Sequence, residues 1–141
     1  MTYILTMKVL LITCLLLLGT QKAAFCQSKC AVVYDQFDIM PVLPDLQNAM
    51  YKHASTQITP IIGMMAGKDP ECMLSSLHAK LLVNTQGKVI DVYFRTYMPF
   101  VLQERLCEEF LKMEGFQPAV YNGQTVCAMF PYVIRCMSWQ E

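Results

Sequence analysis

The sequence predicts an α+β domain in two layers: a three-stranded antiparallel sheet, made of a hairpin and a last strand, packed with two helices. Three stretches carry that expectation. Residues 77–94 alternate apolar and polar around a glycine turn. Residues 99–113 repeat apolar side chains at helical spacing behind a proline. Residues 116–136, FQPAVYNGQTVCAMFPYVIRC, form a β-favouring run that an Asn-Gly turn opens and Pro131 interrupts.

Taken in order, the first residues are not fold. Lys8 precedes the run Val9–Leu18, broken only by Thr13, and small residues follow it. That run is shorter than the roughly 18–20 residues needed to span a bilayer. It fits the apolar region of a signal peptide over residues 1–26, with cleavage after Ala24-Phe25-Cys26. A retained anchor and a lipidated Cys26 are the alternatives. Residues 27–42 show no clear period, and Pro41 and Pro44 mark an extended lead-in. The domain proper is expected over residues 43–141.

Asp45 is placed to cap a first helix, in which Leu46, Ala49, Met50 and His53 share a face and which Pro60 is expected to end. His53 reads as a core-edge histidine, with no carboxylate or cysteine companion in the sequence. Residues 60–75, with Pro60, Gly63, Gly67 and Pro70, read as a long loop. Leu77, Ala79, Leu81 and Val83 then alternate with His78, Lys80 and Asn84. The turn NTQGK offers Gly87 for a positive φ, and Ile90, Val92 and Phe94 form the return strand. Lys80, Asp91, Arg95 and His78 fall on its wet face. Pro99 opens the second helix, whose stripe is Leu102, Leu106, Phe110 and Met113, with Gly115 as its stop. Neighbouring Glu108 and Glu109 point about 100° apart, so they form no paired-acid site.

The composition is 55% hydrophobic with a formal net charge of zero, which excludes the basic footprint of a nucleic-acid binder. Loss of residues 1–26 removes Lys8 and Lys22 and leaves the chain slightly acidic. Five of the seven cysteines would remain, so at least one is unpaired within a monomer. Cys127 and Cys136 lie on one predicted strand, roughly 30 Å apart at about 3.3 Å per residue, too far to bridge. There is no CxxC, and neither histidine lies beside a cysteine, so no metal or other cofactor is expected. Met64, Met65 and Met73 read as core-filling thioethers around a buried Cys72 rather than a Cu(I) site. GxSxG, HExxH and phosphate-loop motifs are absent, and the chain is read as non-enzymatic.

VNTQGKVIDVYF, a helix, and then FQPAVYNGQTVCAMFPYVI together resemble the C-terminal domain of TonB-type energy transducers, in the form common in Bacteroidetes-like bacteria. Asn84, Gly87 and Val89 match the family's hairpin motif. Phe116, Pro118 and Ala119 match its W-x-P-A segment, with Phe for Trp. Asn122, Gly123 and Val126 match its last turn, and Pro131 its strand proline. LPDLQNAMYKHASTQITP, residues 43–60, is similar to the family's first helix. The resemblance covers roughly residues 43–137. Two family features lie outside it: no Pro-rich spacer follows the apolar run, and that run is short for a retained anchor.

The resemblance implies a periplasmic or cell-envelope module without enzyme activity. A sheet edge would receive a peptide strand from a partner, an outer-membrane transporter segment being the family's example. Main-chain hydrogen bonds would supply affinity and alternate side chains specificity. The partner-binding residues expected are Val126, Ala128, Phe130, Tyr132 and Ile134, on a last strand close to the sheet edge. A homodimer that pairs through the sheet, as an envelope scaffold or lipoprotein subunit, is the alternative.

Overall fold

The computed structural model describes residues 30–135. The expected signal peptide and Cys136 lie outside the described residues.

The chain is α+β, with two helices and a curled mixed sheet. Strand β1 is Val33–Tyr34. Helix α1 begins as Leu46–His53, passes through a π-helical stretch at Ala54–Ile58 and continues as Thr59–Ala66. A 3-10 turn, Pro70–Cys72, leads to β2, Ser76–Val83, and β3, Val89–Phe94. Helix α2 is Phe100–Phe110. Strands β4, Ala119–Tyr121, and β5, Gln124–Arg135, complete the fold.

The hairpin forms where the alternation places it, Ala79 facing Phe94 and Leu81 facing Val92. Its turn rests on Asn84, a buried residue whose side-chain oxygen accepts the N–H groups of Gln86 and Lys88, each at 3.0 Å. Gly87 takes φ 77°, and a Cβ there would collide with the Phe116 carbonyl. The Phe116 N–H donates back to the Gly87 carbonyl at 3.1 Å, fixing the segment after α2 against this turn. Asn122 and Gly123 both have positive φ, as a two-residue hairpin between β4 and β5 requires.

Five expectations are corrected. The sheet has five strands, not three, in the order β1-β5-β2-β3, with β4 also pairing with β5. Strand β1 runs parallel to β5, so the sheet is mixed rather than antiparallel. The last strand has neighbours on both sides only at its middle, where Ala128 lies between Val83 of β2 and Tyr34 of β1; beyond it the side away from β2 is unpaired among the described strands. The first helix does not end at Pro60 but runs to Ala66. In the π-helical stretch the Thr59 N–H reaches back five residues to the Ala54 carbonyl, and the register shift accommodates a residue with no N–H of its own. Asp45 also differs: its carboxylate accepts from the Asn48 side chain at 2.9 Å and caps no backbone N–H.

Both helices cover one face of the sheet. Ile58 and Ile62 of α1 and Leu102, Leu106 and Phe110 of α2 pack with Leu77, Leu81, Phe130 and Tyr132 in one core. Apart from this core, residues 33–40 act as a strap. Tyr34 and Phe37 pack with Tyr121 on a smaller cluster of Ala119, Val126 and Ala128. The strap is anchored at both ends. Cys30 is disulfide-bonded to Cys127, and the Asp38 carboxylate accepts the Asn122 N–H at 2.8 Å.

Candidate strand-pairing edge

The direction of each main-chain group in β5 follows from one bond. The Arg95 N–H donates to the His78 carbonyl at 2.8 Å, so His78 turns its main-chain groups toward β3. Strand groups alternate, so Leu77, Ala79, Leu81 and Val83 turn theirs toward β5. Their partners there are Ile134, Tyr132, Phe130 and Ala128. Cys127, Met129, Pro131, Val133 and Arg135 therefore turn their main-chain groups to the opposite edge, the one on which β1 lies. Strand β1 pairs there only at Cys127 and Ala128, and that parallel pairing takes up the Met129 N–H against the Tyr34 carbonyl. Past that bond, as far as Arg135, no strand among the described residues pairs with that edge. Pro131 stands in its middle, and its missing N–H falls on the open side, where the β2 ladder loses nothing.

The other boundary of the sheet is β3, and it is closed differently. The Val92 N–H, which faces away from β2, is taken by the Asp91 carboxylate at 2.8 Å. The Val89 N–H is taken by the Met113 carbonyl at 3.1 Å. Two donors of β3 are thus already taken within the protein.

The five residues singled out by sequence lie on β5 and turn their main-chain groups away from that edge, toward β2 or β4. Val126, Ala128, Phe130 and Tyr132 are buried, and Ile134 is half-buried against the main core. The backbone groups offered at the open edge belong to the alternate set: the Met129 and Pro131 carbonyls and both groups of Val133. The signal for them was the alternation itself, in which Pro131 and Val133 are exposed while Phe130 and Tyr132 are not.

Beside this edge lies a pocket of about 360 Å³. It is lined by Val33, Tyr34 and Phe37 of the strap region, by Met129 and Pro131 of β5, and by Lys80. Lys80 stands directly opposite Pro131, on the face of the sheet away from the helices. The same face carries His78 opposite Val133, and Arg135 opposite Ser76. The described salt bridges, Lys88–Glu114, Arg105–Glu108 and Lys112–Glu109, lie elsewhere and use none of these cations. Tyr93, beside Lys80 on β3, has its phenol pushed up by a hydrogen bond to Asp91, then by that carboxylate's charge.

The thiols are not tuned for attack. Burial pushes Cys72 up, and Asp69 and Glu71 add to it. Cys107 is pushed up by burial, with Asp91 and Glu108 contributing. Cys127 is held by Cys30, in keeping with its exclusion as a partner for Cys136. His53 lies 3.0 Å from the Tyr132 hydroxyl through Nδ1.

Comparison of the chain with protein-family models, with curated proteins and with solved structures gives no match in any of the three.

Proposed function

We propose that this chain is an exported, non-enzymatic protein-binding module, similar to the C-terminal domain of TonB-type transducers. It would act in the periplasm or cell envelope by taking a partner's strand onto β5, with an outer-membrane transporter segment as the kind of partner the resemblance implies. The observation that carries this reading is the outer edge of β5 from Met129 to Arg135. It continues the line of β1, and no described strand occupies it. Unpaired N–H and C=O groups in a row are a template for strand addition. The Cys30–Cys127 bridge is compatible with an oxidising compartment.

Hydrogen exchange on the whole exported chain tests the reading. The Val133 amide is expected to exchange fast in the free protein and to slow when peptides from transporter plug regions are added. Slow exchange in a free monomer, with no peptide binding, would sink the proposal. Slow exchange that tracks dimer formation in sedimentation would support the scaffold alternative instead. The mass of the mature N-terminus tests export separately: Gln27 as first residue is expected, and an intact Met1 would contradict cleavage.

A further inference from the structure

We propose that the strand received at this edge is an acidic, extended peptide bearing one large apolar side chain. That side chain would fill the pocket under the strap while its acids face Lys80 and Arg135. The inference rests on the strand-pairing reading and assigns the partner's chemistry. It has three supports.

The first is continuity between edge and pocket. Met129 and Pro131 belong to the open edge and also line the pocket. A strand laid along Met129–Arg135 projects alternate side chains onto the face away from the helices, about 6.6–6.8 Å apart. The one beside Met129 and Pro131 meets the pocket. The next lies toward Val133 and Arg135, outside its lining. One side chain therefore enters.

The second is that the pocket is built rather than incidental. Its roof is pinned by the Cys30–Cys127 bridge at one end and by the Asp38–Asn122 hydrogen bond at the other. The Ile39 N–H adds a bond to the Val120 carbonyl at 3.1 Å. Tyr34 and Tyr121 hold the near wall with ring centroids 5.3 Å apart. Most of the lining is apolar, with Val33, Phe37, Met40 and Met129 among its members.

The third is charge. Lys80 and Arg135 lie on this face without a described ion-pair partner, and His78 stands between them along the ladder. Against them stand Asp35 in the pocket lining and Asp91 on β3, whose carboxylate already accepts the Val92 N–H. A guest strand lies two strand spacings from β2, on the order of 10 Å. The short ring of Pro131 lies between, so a guest carboxylate and the Lys80 ammonium can meet across it.

Synthetic ten-residue peptides titrated into the full mature chain test the proposal. They share an alternating frame of threonine and glutamate, with one central outward position set to Phe or to Ala. A second frame replaces glutamate with lysine. In the glutamate frame the Phe peptide should bind at least tenfold tighter than the Ala peptide, with amide shifts at Met129 and Val133. The lysine frame should bind at least tenfold more weakly than the glutamate frame. Met40→Glu, a change at an exposed lining residue, should abolish the advantage of Phe. Lys80→Glu should reduce or reverse the preference for glutamate. Peptides that shift the Met129 and Val133 amides without preferring Phe or glutamate would overturn this inference and leave strand pairing standing. If no peptide of either frame shifts those amides, both fall.

Discussion

At the scale of single residues, His53 gives the clearest link between packing and chemistry. It sits on α1 with its ring against Phe110 and Tyr132, centroids 5.7 and 5.8 Å away. Its Nδ1 lies 3.0 Å from the Tyr132 hydroxyl. Burial lowers its pKa below the ordinary value of 6.5, and the nearby Glu109 carboxylate only partly offsets that. Neutral imidazole can accept the tyrosine proton at Nδ1, whereas imidazolium can only donate. With the folded value below the unfolded one, the unfolded chain binds the proton first. His53 therefore costs nothing above 6.5, and stability falls as pH drops from there toward the folded value. Thermal unfolding should show a midpoint that declines as pH falls below about 6.5. His53→Gln should flatten that decline, and an unchanged slope in the variant would refute the assignment. The sequence placed His53 at the core edge, which holds. It had no way to name Tyr132, 79 positions away.

Among the elements, the two prolines that look most disruptive are absorbed in opposite ways. Pro60 is accommodated inside a helix by a π-helical register shift just before it. Pro131 is accommodated in a strand because its ring nitrogen faces the edge that β2 does not use. That placement blunts the edge as well as leaving it open, since one donor in the row is missing. Pro131→Val would restore an N–H there without disturbing the β2 ladder. Self-association is expected, visible as a concentration-dependent rise in sedimentation mass, and a variant that stays monomeric would argue against a blunting role. Strand β3 achieves the same end with Asp91, whose carboxylate takes the Val92 N–H. Helix α2 and the β2–β3 hairpin were legible in advance because their signals are local: a stripe at helical spacing, an alternation and a glycine turn. Residues 61–66 were misread as loop because Gly63 and Pro60 outweigh helical spacing in a single sequence. Strands β1 and β4 are too short to carry a period at all.

For the molecule as a whole, the Cys30–Cys127 bridge closes the longest described loop, spanning 97 positions. It ties the strap to the strand whose edge and pocket the strap borders. In the chain-entropy account, closing a loop of about 100 residues is worth up to about 4.7 kcal/mol, and native bridges commonly contribute about 2–5 kcal/mol. The double variant Cys30→Ser, Cys127→Ser should lower unfolding stability by about 2–4 kcal/mol in urea titration. Amides of the strap, Asp38 and Ile39 among them, should lose exchange protection first, while Leu81 and Val83 keep theirs until global unfolding. Equal loss in strap and core would show that the strap does not open separately.

By itself the sequence determined the α+β class, the hairpin with its Asn84 and Gly87 turn, the amphipathic face of α2, and the Asn122-Gly123 turn into a long last strand. Each follows from side-chain spacing or backbone conformational preference within a few residues. Only the tertiary structure decided that β5 has neighbours on both sides at its middle, that β1 covers part of one edge and stops at Ala128, and that the strap roofs a pocket beside Pro131. Those outcomes depend on pairings between residues some 90 positions apart, such as Tyr34 with Ala128. Main-chain pairing is nearly blind to side-chain identity, so a sequence can mark a strand without marking its neighbours.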